Sequence, residues 1–206
     1  MSESDDTPTS PLDVLGFWFG DDPGQPLANS GRWFERSDAF DAEIRARFAT
    51  DVERAGRGEL DGWMADPHGA LALVILLDQF PRNLHRESPA AFAHDPKALD
   101  CTRAAHARGA PEALSLVERW FLAMPFMHAE DVAAQDEGLA LFRALAAEAR
   151  AHGPELAGAF DYVVDFAVRH REVVARFGRF PHRNPVLGRE TTPEEQAWLD
   201  GHPDGF

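Results

Sequence analysis

Lysine and cysteine each occur once in this chain of 206 residues, as Lys97 and Cys101. A single thiol excludes an internal disulfide and a thiolate metal cluster. In its alanine-rich surroundings Cys101 reads as a small buried hydrophobe. Long apolar runs are missing as well: the longest, Ala70 to Leu77, has eight residues and cannot cross a bilayer. No base precedes Arg32, whereas Glu3, Asp5, Asp6, Asp13, Asp21 and Asp22 do, so the opening resembles neither a mitochondrial presequence nor a secretory signal. There is no phosphate-loop glycine pattern, no nucleophile elbow, no His-Glu-x-x-His pair and no basic run interleaved with aromatics. The expectation is a cytoplasmic, soluble chain with no cofactor, no metal, no nucleic acid and no membrane among its partners.

What the chain has in excess is acid and arginine. Its formal charge is -15, from 35 acids against 20 bases. A field of that sign repels nucleic-acid phosphates and anionic bilayers. All the bases except Lys97 are arginines, whose planar forks suit carboxylates.

Residues 1–9 are polar and expected to be disordered, leaving 10–206 as one domain. From there the pattern is helical throughout. Ser10-Pro11 with Asp13 makes a capping box for a short helix to Gly20, and Phe40, Ile44 and Phe48 step along one face of the next. Asp66-Pro67 starts a segment, apolar on all sides, that runs to Phe80 and should lie at the centre. Ser88-Pro89, Asp95-Pro96 and Pro111-Glu112 signal three further starts, the last of which Pro125 should break. Asp131 is placed to cap an alanine-rich helix. Glu155 to Phe177 advances by alternating threes and fours, and Thr192-Pro193 with Glu195 opens a final helix. No stretch alternates with a period of two, so the expected fold is all-α: a single antiparallel array of about eight helices.

Two helix exits share their wording: Asp78-Gln79-Phe80-Pro81-Arg82-Asn83, and Gly178-Arg179-Phe180-Pro181-His182-Arg183-Asn184. Each phenylalanine should anchor the chain and each proline stop the helix. Asn83 and Asn184 are suited to turns, whereas Arg82 and Arg183 offer five-donor forks to an internal acid such as Asp78 or to an anionic ligand. His170 falls on the apolar seam of its helix, either as a satisfied core histidine or as an acid, base or ligand of a pocket shared with His182. His128 and Glu130 sit in the proline-broken segment Pro125 to Asp131. If these elements converge, Asp78, Gln79, Arg82, Asn83, His128, Arg183 and Asn184 form a ligand site, and His170, His182 and Glu130 are the candidates for proton transfer.

The same strings resemble the DUF924 family, a group of proteins of unknown function with tetratricopeptide-like helical folds. The matching segments are Val14 to Phe19, Trp33-Phe34, Leu76 to Asn83, Pro125 to Asp131, His170 to Asn184 and Leu187 to Glu195. Of these, Gly-Arg-Phe-Pro-His-Arg-Asn is the most distinctive. The resemblance implies a TPR-like single domain and carries no activity with it. Where the family typically has serine before the glutamate, this chain has Ala129, which weakens any scheme that needs a hydroxyl there. Three functions therefore compete. One is a binding domain for a small anionic ligand or peptide carboxylate. The second is a hydrolase-type enzyme using His170 or His182 with Arg82 and Arg183 stabilising negative charge. The third is a structural or interaction domain, with a homo-oligomer among its partners.

Overall fold

The computed structural model describes residues 9–20, 22 and 25–202; the acidic opening, residues 1–8, lies outside them. Among the described residues there is no strand, and eleven α-helical segments form one array, eight of them at least eight residues long. They are α1 (Pro11–Phe19), α2 (Ser30–Phe34), α3 (Asp38–Gly56), α4 (Pro67–Val74), α5 (Phe80–Leu84), α6 (Asp95–Ala107), α7 (Leu116–His128), α8 (Val132–Ala149), α9 (Pro154–Phe177), α10 (Asn184–Leu187) and α11 (Pro193–Gly201). None is long and apolar enough to cross a membrane.

The starts follow the capping chemistry. Ser10 with Asp13, Ser115 with Glu118 and Thr192 with Glu195 form reciprocal capping boxes. Asp66 accepts from the amides of His68 and Gly69, and Asp131 from that of Ala134 at 2.7 Å. The apolar run that ends α4 and enters the turn after it is central: Leu71, Leu73, Val74, Ile75, Leu76 and Leu77 are completely buried. Around it pack α1, α6 and α7, while α7, α8 and α9 follow one another as packed neighbours.

Three expectations are corrected. Pro81 does not stop its helix: Ile75–Gln79 forms a π-turn, in which the Phe80 amide reaches the Ile75 carbonyl, and the chain continues as α5. The wider turn shifts the hydrogen-bond register, so Pro81 arrives in a fresh first turn where no amide is required. Nor does Pro125 break α7, which runs three residues further to His128. Only one amide is lost there, and Phe126 and Met127 behind it are 3% and 2% exposed, so their burial holds the last turn. Ser88-Pro89 and Pro111-Glu112 yield only the 3-10 turns Pro89–Phe92 and Ala110–Ala113, because neither is followed by enough apolar residues before the next glycine or cap. At the second exit α9 does end at Phe177, as its period predicts, but Gly178, in the left-handed region with φ 70°, ends it, and Pro181 opens the following 3-10 turn.

The α7–α8 contact is set by Gly138, where an added Cβ would lie 2.6 Å from Phe126 Cβ. Gly138→Ala is therefore expected to lower the free energy of unfolding by about 1–2 kcal/mol in urea titration, overpacking outweighing the gain in helix propensity. An unchanged or raised midpoint would show that the two helices can move apart freely.

Candidate functional site

The π-turn and the end of α9 bring the two exits together. From α5, Arg82 sends Nη2 to Asp95 Oδ2 at 2.9 Å; from the turn Pro181–Arg183, Arg183 sends Nη1 to the same oxygen at 3.3 Å. Asp95 is the first residue of α6, whose start has no side-chain cap, so its carboxylate is given to the arginines and not to the helix. Phe92, on the preceding turn, supports both guanidinium groups, with its ring centre 5.7 Å from Arg82 Cζ and 4.5 Å from Arg183 Cζ. Phe180 lies 4.6 Å from Arg183 Cζ, so that guanidinium rests against two rings.

Asp78 is fully buried within the π-turn; of the two arginines the sequence offered it, it holds Arg82, while Arg183 goes to Asp95. His128 Nδ1 is 2.7 Å from its Oδ1, Gln79 Nε2 is 2.5 Å from its Oδ2, and Arg82 Nη1 is 3.4 Å from Oδ1 while also donating to the Asp78 backbone carbonyl. Burial works to raise the Asp78 carboxyl, but Arg82 and His128 outweigh it and hold it at about 2. The carboxylate requires His128 to donate from Nδ1, which leaves Nε2 as the basic nitrogen.

Glu130 ties the second exit down. It accepts from the Phe180 amide at 2.7 Å and pairs with Arg189 at 2.6 and 2.9 Å; Arg189 also donates to the Phe180 carbonyl at 3.0 Å. Asn184 turns away from the arginines and donates to Glu195 at 3.2 Å, which is gripped in turn by Arg179 at 2.6 and 2.8 Å. Asn83 also points elsewhere, to Asp41 at 2.8 Å, beside Arg86. His170 donates from Nδ1 to the Phe166 carbonyl at 2.8 Å, and its ring packs 5.5 Å from that of Phe180. The His182 ring lies 5.6 Å from that of Phe180. Arg82 and Arg183 thus meet on Asp95, and Asp78, Gln79 and His128 join them through Arg82, with Glu130, His170 and His182 bordering Phe180. Asp95 and Arg189 were not singled out from the sequence. Asp95-Pro96 carried a usable signal, a helix-start acid whose cap geometry left its carboxylate unassigned.

Burial holds His170 down to about 3 and, helped by Arg183, His182 down to about 4. Burial and the neighbouring Arg82 lower Arg183 to about 10, which leaves it charged at neutral pH. Because both histidines bind protons less readily folded than unfolded, their contribution to stability is complete above the unfolded value of about 6.5 and is lost as pH falls toward 4 and then 3. Asp78 adds a loss that begins below its ordinary value and runs to about 2. Urea midpoints are expected to fall continuously from about pH 6.5 downward, and His170→Phe should flatten the upper part of that slope. A midpoint constant between pH 6.5 and pH 4.5 would contradict the burial of neutral histidines.

These features define a class: a single-domain helical array whose two aromatic-proline exits meet in a buried arginine–carboxylate network. The chain belongs to the family described as "Bacterial protein of unknown function (DUF924)", which matches residues 14–202. It is similar to the solved structure of the protein of unknown function ATU0120 from Agrobacterium tumefaciens, with 39% identity and a TM-score of 0.77 over 93% of this chain and 97% of that one. No curated protein matches.

Proposed function

We propose that this domain binds a small anion or peptide end through a carboxylate seated on Arg82 and Arg183. The observation that carries the reading is the meeting of two guanidinium groups, from exits a hundred residues apart, on a single carboxylate oxygen of Asp95. Asp95 acts as the stand-in for the ligand, and an incoming carboxylate exchanges with it. Arg183 Nε, buried without a hydrogen-bond partner, supplies one donor that Asp95 does not use. The aromatic rings of Phe92 and Phe180 hold Arg183 in place, which lowers the ordering cost of binding. The acidic composition and single cysteine favour the cytoplasm as its compartment.

A screen of mono- and dicarboxylic metabolites and of inorganic phosphate by thermal shift, on wild type and Arg183→Ala, tests this. A ligand that raises the melting temperature of wild type and not of Arg183→Ala supports the clamp; equal stabilisation of both proteins sinks it.

One observation favours an enzyme reading. The Asp78–His128 pair, 2.7 Å apart, fixes the imidazole with Nε2 free to accept a proton, which is the arrangement of an oriented general base. Burial lowers all three histidines, and what sets His128 apart is the Asp78 carboxylate that orients its ring; in a hydrolase it is the proton acceptor the geometry favours, with Arg82 and Arg183 on the developing charge. Loss of turnover in His128→Gln with ligand affinity preserved is the required signature.

A further inference from the structure

The chain beyond α9 is knit to itself around one carboxylate. Glu195 accepts from Nε and Nη2 of Arg179, from the Asn184 side chain and, at 2.8 Å, from the Thr192 amide, and Arg179 also donates to the Glu190 carbonyl. Residues 179–202 therefore hold together as a small unit. Its apolar anchor, Phe180, clusters with Val173, Val174, Phe177 and Trp198, which lie on α9 or in the unit itself, apart from the main core. Even there the docking is loose: Arg169, Val173, Trp198 and His202 line a cleft of about 240 Å³ between α9 and α11.

Two acids of the body clasp this unit. Glu130, between α7 and α8, accepts from the Phe180 amide and pairs with Arg189; Asp95, at the start of α6, pairs with Arg183. Both clasps strand polar atoms: Arg183 Nε, Arg189 Nε and Asp95 Oδ1 are buried with no hydrogen-bond partner among the described residues. Each carries a desolvation cost that water relieves when the seam parts, so this seam opens more readily than the core. At the root stands Gly178, with φ 70° and nothing within 4 Å of an added Cβ, so no packed side chain opposes rotation there.

We infer that residues 179–202 form a hinged latch that swings about Gly178 and gates the arginine pair. Shut, it leaves the side chains of Arg183 and Asp95 only 8% and 14% exposed, closed to an incoming carboxylate. Opening draws Arg183 off Asp95 and bares Arg82; a carboxylate enters, and the latch closes again with Arg183 on the ligand. Glu130 sets how often this happens, because its pair with Arg189 must part first. The apparent affinity of the seat is weakened to the extent that the latch is shut. As control of ligand access this rests on the carboxylate reading; the motion itself does not.

Two readouts on the full chain test the motion without a ligand: amide hydrogen exchange, and single-hit modification of arginines by phenylglyoxal, located by peptide mass spectrometry. In wild type, 179–202 is expected to exchange faster than α4. Glu130→Gln keeps an acceptor for the Phe180 amide and removes the charge facing Arg189. It should raise exchange over 179–202 and modification of Arg183 together, each about tenfold, the worth of a charge-assisted hydrogen bond. Protection of α4 and modification of Arg150, 59% exposed, should stay unchanged. Arg189→Gln loosens the same clasp from the other side and should act alike, so the test survives if one variant folds poorly. Exchange over 179–202 that keeps pace with α4 in wild type, or that is unmoved by both variants, overturns the latch. So does exchange that rises while Arg183 stays unmodified. Acetate, but not chloride at matched ionic strength, should slow the modification of Arg183 in Glu130→Gln; a latch that opens without such protection stands, and the carboxylate reading alone is sunk.

Discussion

Asp78→Ala is expected to cost about 3–5 kcal/mol of unfolding free energy, read as a lower urea midpoint with an unchanged slope. The carboxylate is completely buried, and its removal leaves His128 and Gln79 inside the protein without their acceptor and Arg82 with Asp95 as its remaining carboxylate. The buried donors keep their desolvation cost and lose the charge that compensated it. Asp78→Asn, which preserves shape and the contact with His128 but not the charge, should fall between wild type and alanine. The double variant Asp78→Leu with Arg82→Met removes both charges together and should recover part of the loss, since a pair replaced by apolar groups leaves nothing unpaired. A cost for Asp78→Ala below about 1 kcal/mol would show that water reaches the π-turn and that the network is solvated.

Phe80→Ala and Phe180→Ala should diverge although the two residues share a motif and both are completely buried. Phe80 is a hub of the main aromatic core, with ring centres 6.0, 5.6 and 5.0 Å from Phe17, Trp18 and Phe48. Its truncation is expected to cost about 3–5 kcal/mol and to lower protection across the whole domain in hydrogen exchange. Phe180 packs instead with Val173 and Val174 in a small satellite cluster joined by Phe177 and Trp198. A cavity there should release α10 and α11 locally, with exchange rising over 178–202 and α4 remaining protected. Equal loss of protection at α4 in both variants would mean that the C-terminal segment and the core unfold as one unit.

The helices were legible wherever a cap residue and a run of apolar positions agreed. Ser10, Asp66, Asp131 and Thr192 start helices where their chemistry places them, and the period of α9 is carried in its own residues. Proline was the less reliable signal. Whether Pro81 and Pro125 end a helix depends on a π-turn and on the burial of Phe126 and Met127, neither of which is local information. The convergence of Arg82 with Arg183 could be posed from the repeated wording, but not their common partner. Asp95 looked like an ordinary helix start, and only the fold brings it between two exits. The same holds for Asn83 and Asn184: identical letters in the two motifs, they serve different acids, Asp41 and Glu195.

On the proposed reading, Arg82 and Arg183 form a carboxylate seat which Asp95 fills from within. Chemical rescue measures it directly: the melting temperature of Asp95→Ala is followed against increasing acetate, with chloride at matched ionic strength as the control. Asp95→Ala is expected to be destabilised, acetate to restore it in a saturable manner while chloride does not, and the addition of Arg183→Ala to abolish the rescue. Identical responses to acetate and chloride would contradict it.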